Sequence, residues 1–286
     1  MYSLYDFTND EIINMPLGGT VRKHPVLHNG SMYVIKYQYL NHNGNHINSV
    51  TSEYIGSEIA ASAGLDVQQV VWGYRNDEAV SASRDFRSED EDFIGFDEYV
   101  RHFYGRNINS SNISIEIIYQ VIDEDELIPA VLKSQTRERF WDMFIIDTLL
   151  ANPYRALDDW GYIVKMDSSG LRPAPIFDFG GSLLPLSSDE KMNDFLNSNF
   201  RKETFILKCF PKISIKSHDK KTDLLGILAS EYKADCTAAL KRILPRIDMK
   251  KISGLLDDTP MISEVRRDFL KKYIAEREEL IYSKMS

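Results

Sequence analysis

PAPIFDFGGSLL, residues 173–184, runs from an apolar segment to a lone carboxylate, Asp178, and on to two glycines. An aspartate at a strand end, beside backbone that glycine leaves free, suits a hard cation such as Mg2+. Upstream, ANPYRALDDWG at 151–161 places Asp158 and Asp159 just before Trp160, Gly161 and a further apolar run. Two adjacent acids are costly to bury without a cation. Taken together with Asp178, they point to a metal site; taken alone, they read as a solvated loop.

Toward the N-terminus, LGGTVRKHPVL (17–27) and SMYVIKYQYL (31–40) are apolar-rich runs joined through Asn29-Gly30. Asn-Gly favours a two-residue hairpin because both residues tolerate positive φ. Gly18, Gly19 and Thr20, followed by Arg22 and Lys23, can bring backbone N–H groups close to phosphate oxygens, although a plain turn is the ordinary reading of such glycines. Lys36 stands in the middle of an apolar strand, where a lysine must either extend to solvent or meet an anion. A helix is expected over Ser49–Ala63, with Ile55, Ile59 and Ala63 at helical spacing and Gly64 as its stop. Glu53 in its early turns is a candidate partner for Lys36. Glu58 competes for that role, and the helix dipole alone would also favour an acid at Glu53. VQQVVWGY and EAVSASRDF read as two more strands about Arg75-Asn76-Asp77.

The acidic run RSEDEDFIGFD (87–97) is expected to connect a first lobe, residues 1–90, to a second, residues 91–286. Beyond it, FDEYVRHFY, SIEIIYQVI and TRERFWDMFIIDTLLAN show helical spacing, and GYIVKM with RPAPIFDF supplies a short β segment. Further helices are expected near 188–199, 222–243 and 261–283. Strands first and helices later indicate an α+β chain in two lobes, a β-rich one with a single helix and a mostly helical one, with a cleft between them.

Of the 286 residues, 43% are hydrophobic, enough for a sizeable core, and the net charge of −9 argues against a surface for nucleic acid. The two cysteines, Cys209 and Cys236, are far apart, so neither a disulfide scaffold nor a thiolate zinc site is expected. His42 and His46 read as part of a polar loop. MYSLYDFTNDEIINMP has neither a basic nor a continuous apolar segment, and no run approaches the length of a membrane span. The expected setting is the reducing cytoplasm, away from membranes.

The order of glycine-containing hairpin, strand lysine, helix glutamate, ANPYRALDDWG and PAPIFDFGGSLL resembles the HipA-type serine/threonine kinases, a two-lobed, protein-kinase-like fold. The likeness is to the compact branch that includes the cell-translocating kinase of Helicobacter, and it covers roughly residues 15–215. SEYIGSEIAASAGLDVQQVVWG (52–73) and PAPIFDFGGSLL carry most of it. The resemblance implies ATP and Mg2+ as cofactors, with Lys36 on the nucleotide phosphates, Glu53 as its partner and Asp178 on the metal. It implies that the 151–161 loop supplies a second metal ligand and the catalytic base. There the chain departs from the family: Asn152, Arg155, Trp160 and Gly161 match, but Tyr154 stands at the base Asp, Ala156 at the His and Asp159 at the metal-binding Asn. Asp for Asn keeps an oxygen ligand. A phenol, ordinarily titrating near ~10, does not readily accept a proton at neutral pH.

Three functions follow as expectations. One is a kinase transferring the γ-phosphoryl of ATP to Ser or Thr, on another protein or on itself, with Arg155 ordering the loop and Asp158 standing in for the missing base. The second is a pseudokinase that works by binding nucleotide or a protein partner. The third is nucleotidyl transfer on the same scaffold. The sequence names no protein substrate, and it leaves an antitoxin-like partner open.

Overall fold

A computed structural model describes residues 4–15, 21–40, 46–106, 113–167, 169–197, 211, 213–215 and 221–284. Gly18, Gly19, Thr20, His42 and Cys209, singled out above, lie outside them. The chain divides into two compact units: residues 1–86, 178–208 and 247–278 form the first, and residues 87–177, 209–246 and 279–286 the second.

In the first unit the chain enters through β1 (Tyr5–Asp6) and β2 (Glu11–Ile12). It then makes a hairpin of β3 (Lys23–His28) and β4 (Ser31–Tyr37), followed by the short pair β5 (Tyr39–Leu40) and β6 (His46–Ile47). His28 pairs with Ser31 across Asn29 (φ 48°) and Gly30 (φ 76°), the two-residue loop with both central residues at positive φ that Asn-Gly favours. After α1 (Ser49–Ser62) come β7 (Val70–Arg75) and β8 (Glu78–Arg84), joined by Asn76 and Asp77, again at positive φ. One six-stranded sheet results, in the order β1-β7-β8-β4-β3-β2. Two-residue alternation in β4 sends Tyr33, Ile35 and Tyr37 into a core with Phe7, Val26, Val80 and Ala82 and leaves Lys36 on the opposite face. Fully burying each such side chain contributes about 1.5–3 kcal/mol. Helix α1 packs against β7 and β8. Burial around it is nearly complete between Val50 and Ala60, polar residues included.

The second unit begins with β9 (Glu91–Gly95), inside the acidic run expected only as a connection. It pairs with β10 (Gly161–Lys165), and β10 pairs with β11 (Leu171–Pro173), all antiparallel. Gly161 is needed where the strands meet, because a Cβ there would lie 2.2 Å from the carbonyl oxygen of Ile94. Helices α2 (Phe96–Tyr104), α3 (Ile115–Glu124) and α4 (Ala130–Leu150) follow the expected runs, and Ala151 in the left-handed region closes α4.

The C-terminal third departs from expectation at two places. After α5 (Asp189–Asn197), the helix expected over 222–243 is two helices, α6 (Leu224–Leu228) and α7 (Lys233–Ile243). Between them Ser230 donates its hydroxyl to the Ile227 carbonyl and accepts the Tyr232 N–H, so a side chain satisfies groups that continued helix would have paired. A helix not foreseen, α8 (Met249–Asp258), starts where Asp248 accepts the N–H groups of Lys250 and Lys251, and it buries Ile252, Leu255 and Leu256. The last helix, α9, spans Glu264–Ser283. Among the described residues, no helix is long and apolar enough to cross a membrane.

Candidate functional site

Lys36, Glu53 and Asp178, far apart in the sequence, meet in the first unit. The Lys36 ammonium donates to Glu53 Oε2 at 2.8 Å and to Asp178 Oδ1 at 3.1 Å. The three side chains are 19%, 1% and 46% exposed respectively, so a buried carboxylate anchors the lysine and an accessible one stands at its open side. Glu53 is therefore a buried partner, not a surface acid at a helix end, while half-buried Glu58 makes no hydrogen bond or ion pair with Lys36. Burial works against the Lys36 charge, but the two carboxylates and their hydrogen bonds outweigh it and hold the lysine above its ordinary range. Glu53 is pushed up by burial, pulled back by Lys36, and pushed up again by Asp178.

The backbone that presents Asp178 is constrained from both sides. Asp178 itself lies at φ 60°, and Leu183 and Leu184 are also left-handed. The N–H of Phe179 donates to the second oxygen of Glu53, Oε1, at 3.2 Å. Glu53 thus holds both the lysine and the segment that follows the aspartate. Gly56, one turn along α1, lets the Phe179 side chain lie against the helix backbone; a Cβ there would be 2.7 Å from the Phe179 Cβ.

In the second unit, the 151–161 loop is built around a residue not singled out from the sequence, Asp147. It is buried, and its oxygens accept Arg155 Nε at 2.9 Å, Arg155 Nη2 at 3.0 Å and Asn152 Nδ2 at 2.8 Å. Arg155 also donates through Nη1 to the Phe177 carbonyl. The signal was present as one aspartate in the apolar helical run MFIIDTLL, a place where a carboxylate needs a partner. Arg155 and Asn152 order this loop. Tyr154 is 65% exposed. Asp158 is exposed and Asp159 half-buried, with Asp159 Oδ2 accepting the Ala156 N–H at 2.8 Å. Neither acid is deeply buried, so no cation is required to offset burial of the pair. Beside the loop is a cavity of about 380 Å³ whose walls include Arg155, Asp158, Phe140, Phe144 and Trp160.

Among the described residues, no three His, Cys, Asp or Glu side chains cluster as a ready metal cage.

No family model matches the sequence. The chain is 31% identical over 269 residues to the serine/threonine-protein kinase CtkA of Helicobacter pylori strain J99, an alignment covering 92% of this chain and 81% of CtkA. The crystal structure of a Helicobacter pylori proinflammatory kinase CtkA matches with a TM-score of 0.87 at 29% identity, over 99% of this chain and 96% of that one. A chain of the Shewanella oneidensis MR-1 toxin–antitoxin complex of HipA, HipB and operator DNA matches with a TM-score of 0.53 at 14% identity, over 93% of this chain and 65% of that one, a likeness of fold alone. The α+β architecture is thus the kinase-like one, and the chain belongs to the HipA-like serine/threonine kinase family, in the branch of CtkA.

Proposed function

We propose that this protein is a Mg-ATP-dependent phosphotransferase acting on Ser or Thr, its own or a partner's, and slowed by the residues at its base position. The observation that carries this reading is the Lys36 ammonium held between buried Glu53 and accessible Asp178. A fixed cation beside an accessible carboxylate fits a nucleotide triphosphate and its metal, and phosphoryl transfer depends chiefly on positioning and charge neutralisation. Lys36 would neutralise phosphate charge, with Glu53 keeping it in place. Asp178 would hold Mg2+, which when bound offsets charge developing on the transferred group. Gly18, Gly19 and Thr20 would cover the phosphates. In this reading residues 1–90 form the nucleotide-covering lobe and residues 91–286 carry the loop and metal-binding segments. Asp158 receives the proton of the acceptor hydroxyl in place of the family's aspartate. The setting is a reducing cytoplasm, in keeping with Cys236 as a buried free thiol.

The exposed phenol of Tyr154, with Ala156 two residues on, favours a second reading: a pseudokinase that binds nucleotide or a protein partner without transfer. Thermal denaturation with and without Mg-ATP separates the readings when paired with labelled nucleotide. Wild type gains stability on adding Mg-ATP, and Lys36→Ala and Asp178→Ala, checked for folding by circular dichroism, do not. Label from γ-labelled ATP on protein identifies the kinase, label from α-labelled ATP identifies nucleotidyl transfer, and binding without either identifies the pseudokinase. Undiminished binding in both variants would remove this site assignment.

A further inference from the structure

We propose a second anion site in the first unit, a cavity that takes phosphate or a phosphomonoester on Arg266. The proposal is independent of the nucleotide reading. The cavity holds about 580 Å³, and its walls include Arg266, Asn48, Ser188, Ser263 and Trp72. Arg266 is 2% exposed, and its Nε has no hydrogen-bond partner. Its guanidinium donates through Nη2 to the Ser187 carbonyl at 2.5 Å. Its nearest carboxylate oxygen, Asp189 Oδ1, is 3.9 Å from Nε, beyond hydrogen-bond reach. A buried charge left short of hydrogen bonds is costly, so this group is under-neutralised where it stands. Burial lowers its pKa to about 10, with Asp189 opposing only in part.

Three helix starts meet at the same cavity. Asn48 is the N-cap of α1, yet its side chain makes no capping bond. Ser188 starts α5, accepting the Lys191 N–H on its hydroxyl, and Ser263 starts α9, accepting the Arg266 N–H. Helix N-termini favour anions through their aligned dipoles and unpaired N–H groups. Three of them around one buried guanidinium form a pocket for a tetrahedral oxyanion, in which Arg266 supplies a charge-assisted donor. The acids on the walls are Asp77, Glu78 and Asp189. Glu78 is engaged by Arg22 at 2.7 Å, Asp77 is exposed in the β7–β8 turn, and Asp189 is 49% exposed. Asp189 is the group a phosphate would replace beside Arg266.

The test is thermal denaturation with increasing potassium phosphate against potassium chloride at matched ionic strength. Phosphate is expected to raise the melting temperature of wild type and of Lys36→Ala beyond the chloride control. Replacing Arg266 can unfold the unit, so the deciding variant is Asp189→Asn, at a half-exposed position. Removing the competing carboxylate should tighten apparent phosphate affinity by roughly tenfold, the scale of one close charge contact of intermediate screening. A phosphate effect no larger than chloride's, one lost in Lys36→Ala, or one unchanged in Asp189→Asn would overturn the proposal. A parallel titration with O-phosphoserine identifies the source: tighter binding than inorganic phosphate assigns the site to a phosphomonoester, and weaker binding assigns it to free phosphate.

Discussion

Gly56 and Phe179 approach so closely that a Cβ added to Gly56 would lie 2.7 Å from the Phe179 Cβ. The missing side chain lets the segment after Asp178 sit on α1, where the Phe179 N–H reaches Glu53. Gly56→Ala sets two effects against each other. Alanine favours the helix by about 1 kcal/mol, while overpacking costs about 1–3 kcal/mol. At this separation overpacking wins. Urea denaturation should show a net loss, and the Mg-ATP-induced thermal shift should shrink because the Asp178 segment moves. A variant as stable as wild type, with an unchanged shift, would show that the contact relaxes without cost.

Asp147 and Arg155 form a buried bidentate pair. Asp147→Ala leaves a guanidinium without its counter-charge and should cost about 3–5 kcal/mol. The double variant Asp147→Leu, Arg155→Met should recover much of that loss, because two apolar side chains leave no buried charge. If the double variant is as unstable as the single one in chemical denaturation, the pair does more than neutralise itself.

Lys36 titrates above its ordinary value of 10.5 in the fold. Its contribution to stability is therefore complete below about 10.5 and lost as pH rises through the higher folded value. The stability difference between wild type and Lys36→Met should stay level from pH 7 to 10 and narrow above that. Tyr162, raised by burial, loses its own contribution in the same direction, but equally in both proteins. A difference that widens with alkali contradicts the pairing.

Burial raises the Cys236 thiol to about 12, and the residue is fully enclosed. In a Cys209→Ser background, Cys236 should resist a thiolate-directed reagent at pH 8 until denaturant is added. Rapid labelling of the native protein would place it at the surface.

Replacing Tyr154 with Asp and Ala156 with His tests the proposal that these positions are those of the family's base and histidine. Phosphoryl transfer from γ-labelled ATP should rise by about 10²–10⁴, the usual contribution of a positioned base. A variant that binds Mg-ATP as wild type does yet transfers no faster would show that the loop lacks more than its base.

Elements with local causes were legible. The Asn29-Gly30 hairpin, the helix stopped by Gly64 and the long helical runs owe their form to neighbours within a few residues. The break at Ser230 was not legible, because a hydroxyl turned back on its own backbone leaves helical periodicity intact. β9 was obscured for a different reason: an acidic run becomes a strand when β10 supplies its ladder from about 70 residues away. Asp147 was passed over because a single acid in an apolar helix gains its meaning only from Arg155 and Asn152.

Order along the chain was enough to name the family, since motif spacing and turn preference are short-range properties. Which glutamate holds Lys36, whether Asp158 and Asp159 are buried, and that Arg266 sits under-neutralised among three helix starts were settled by folding alone. Burial and ion pairing depend on distances between residues remote in sequence, and those distances exist only once the backbone has closed around them.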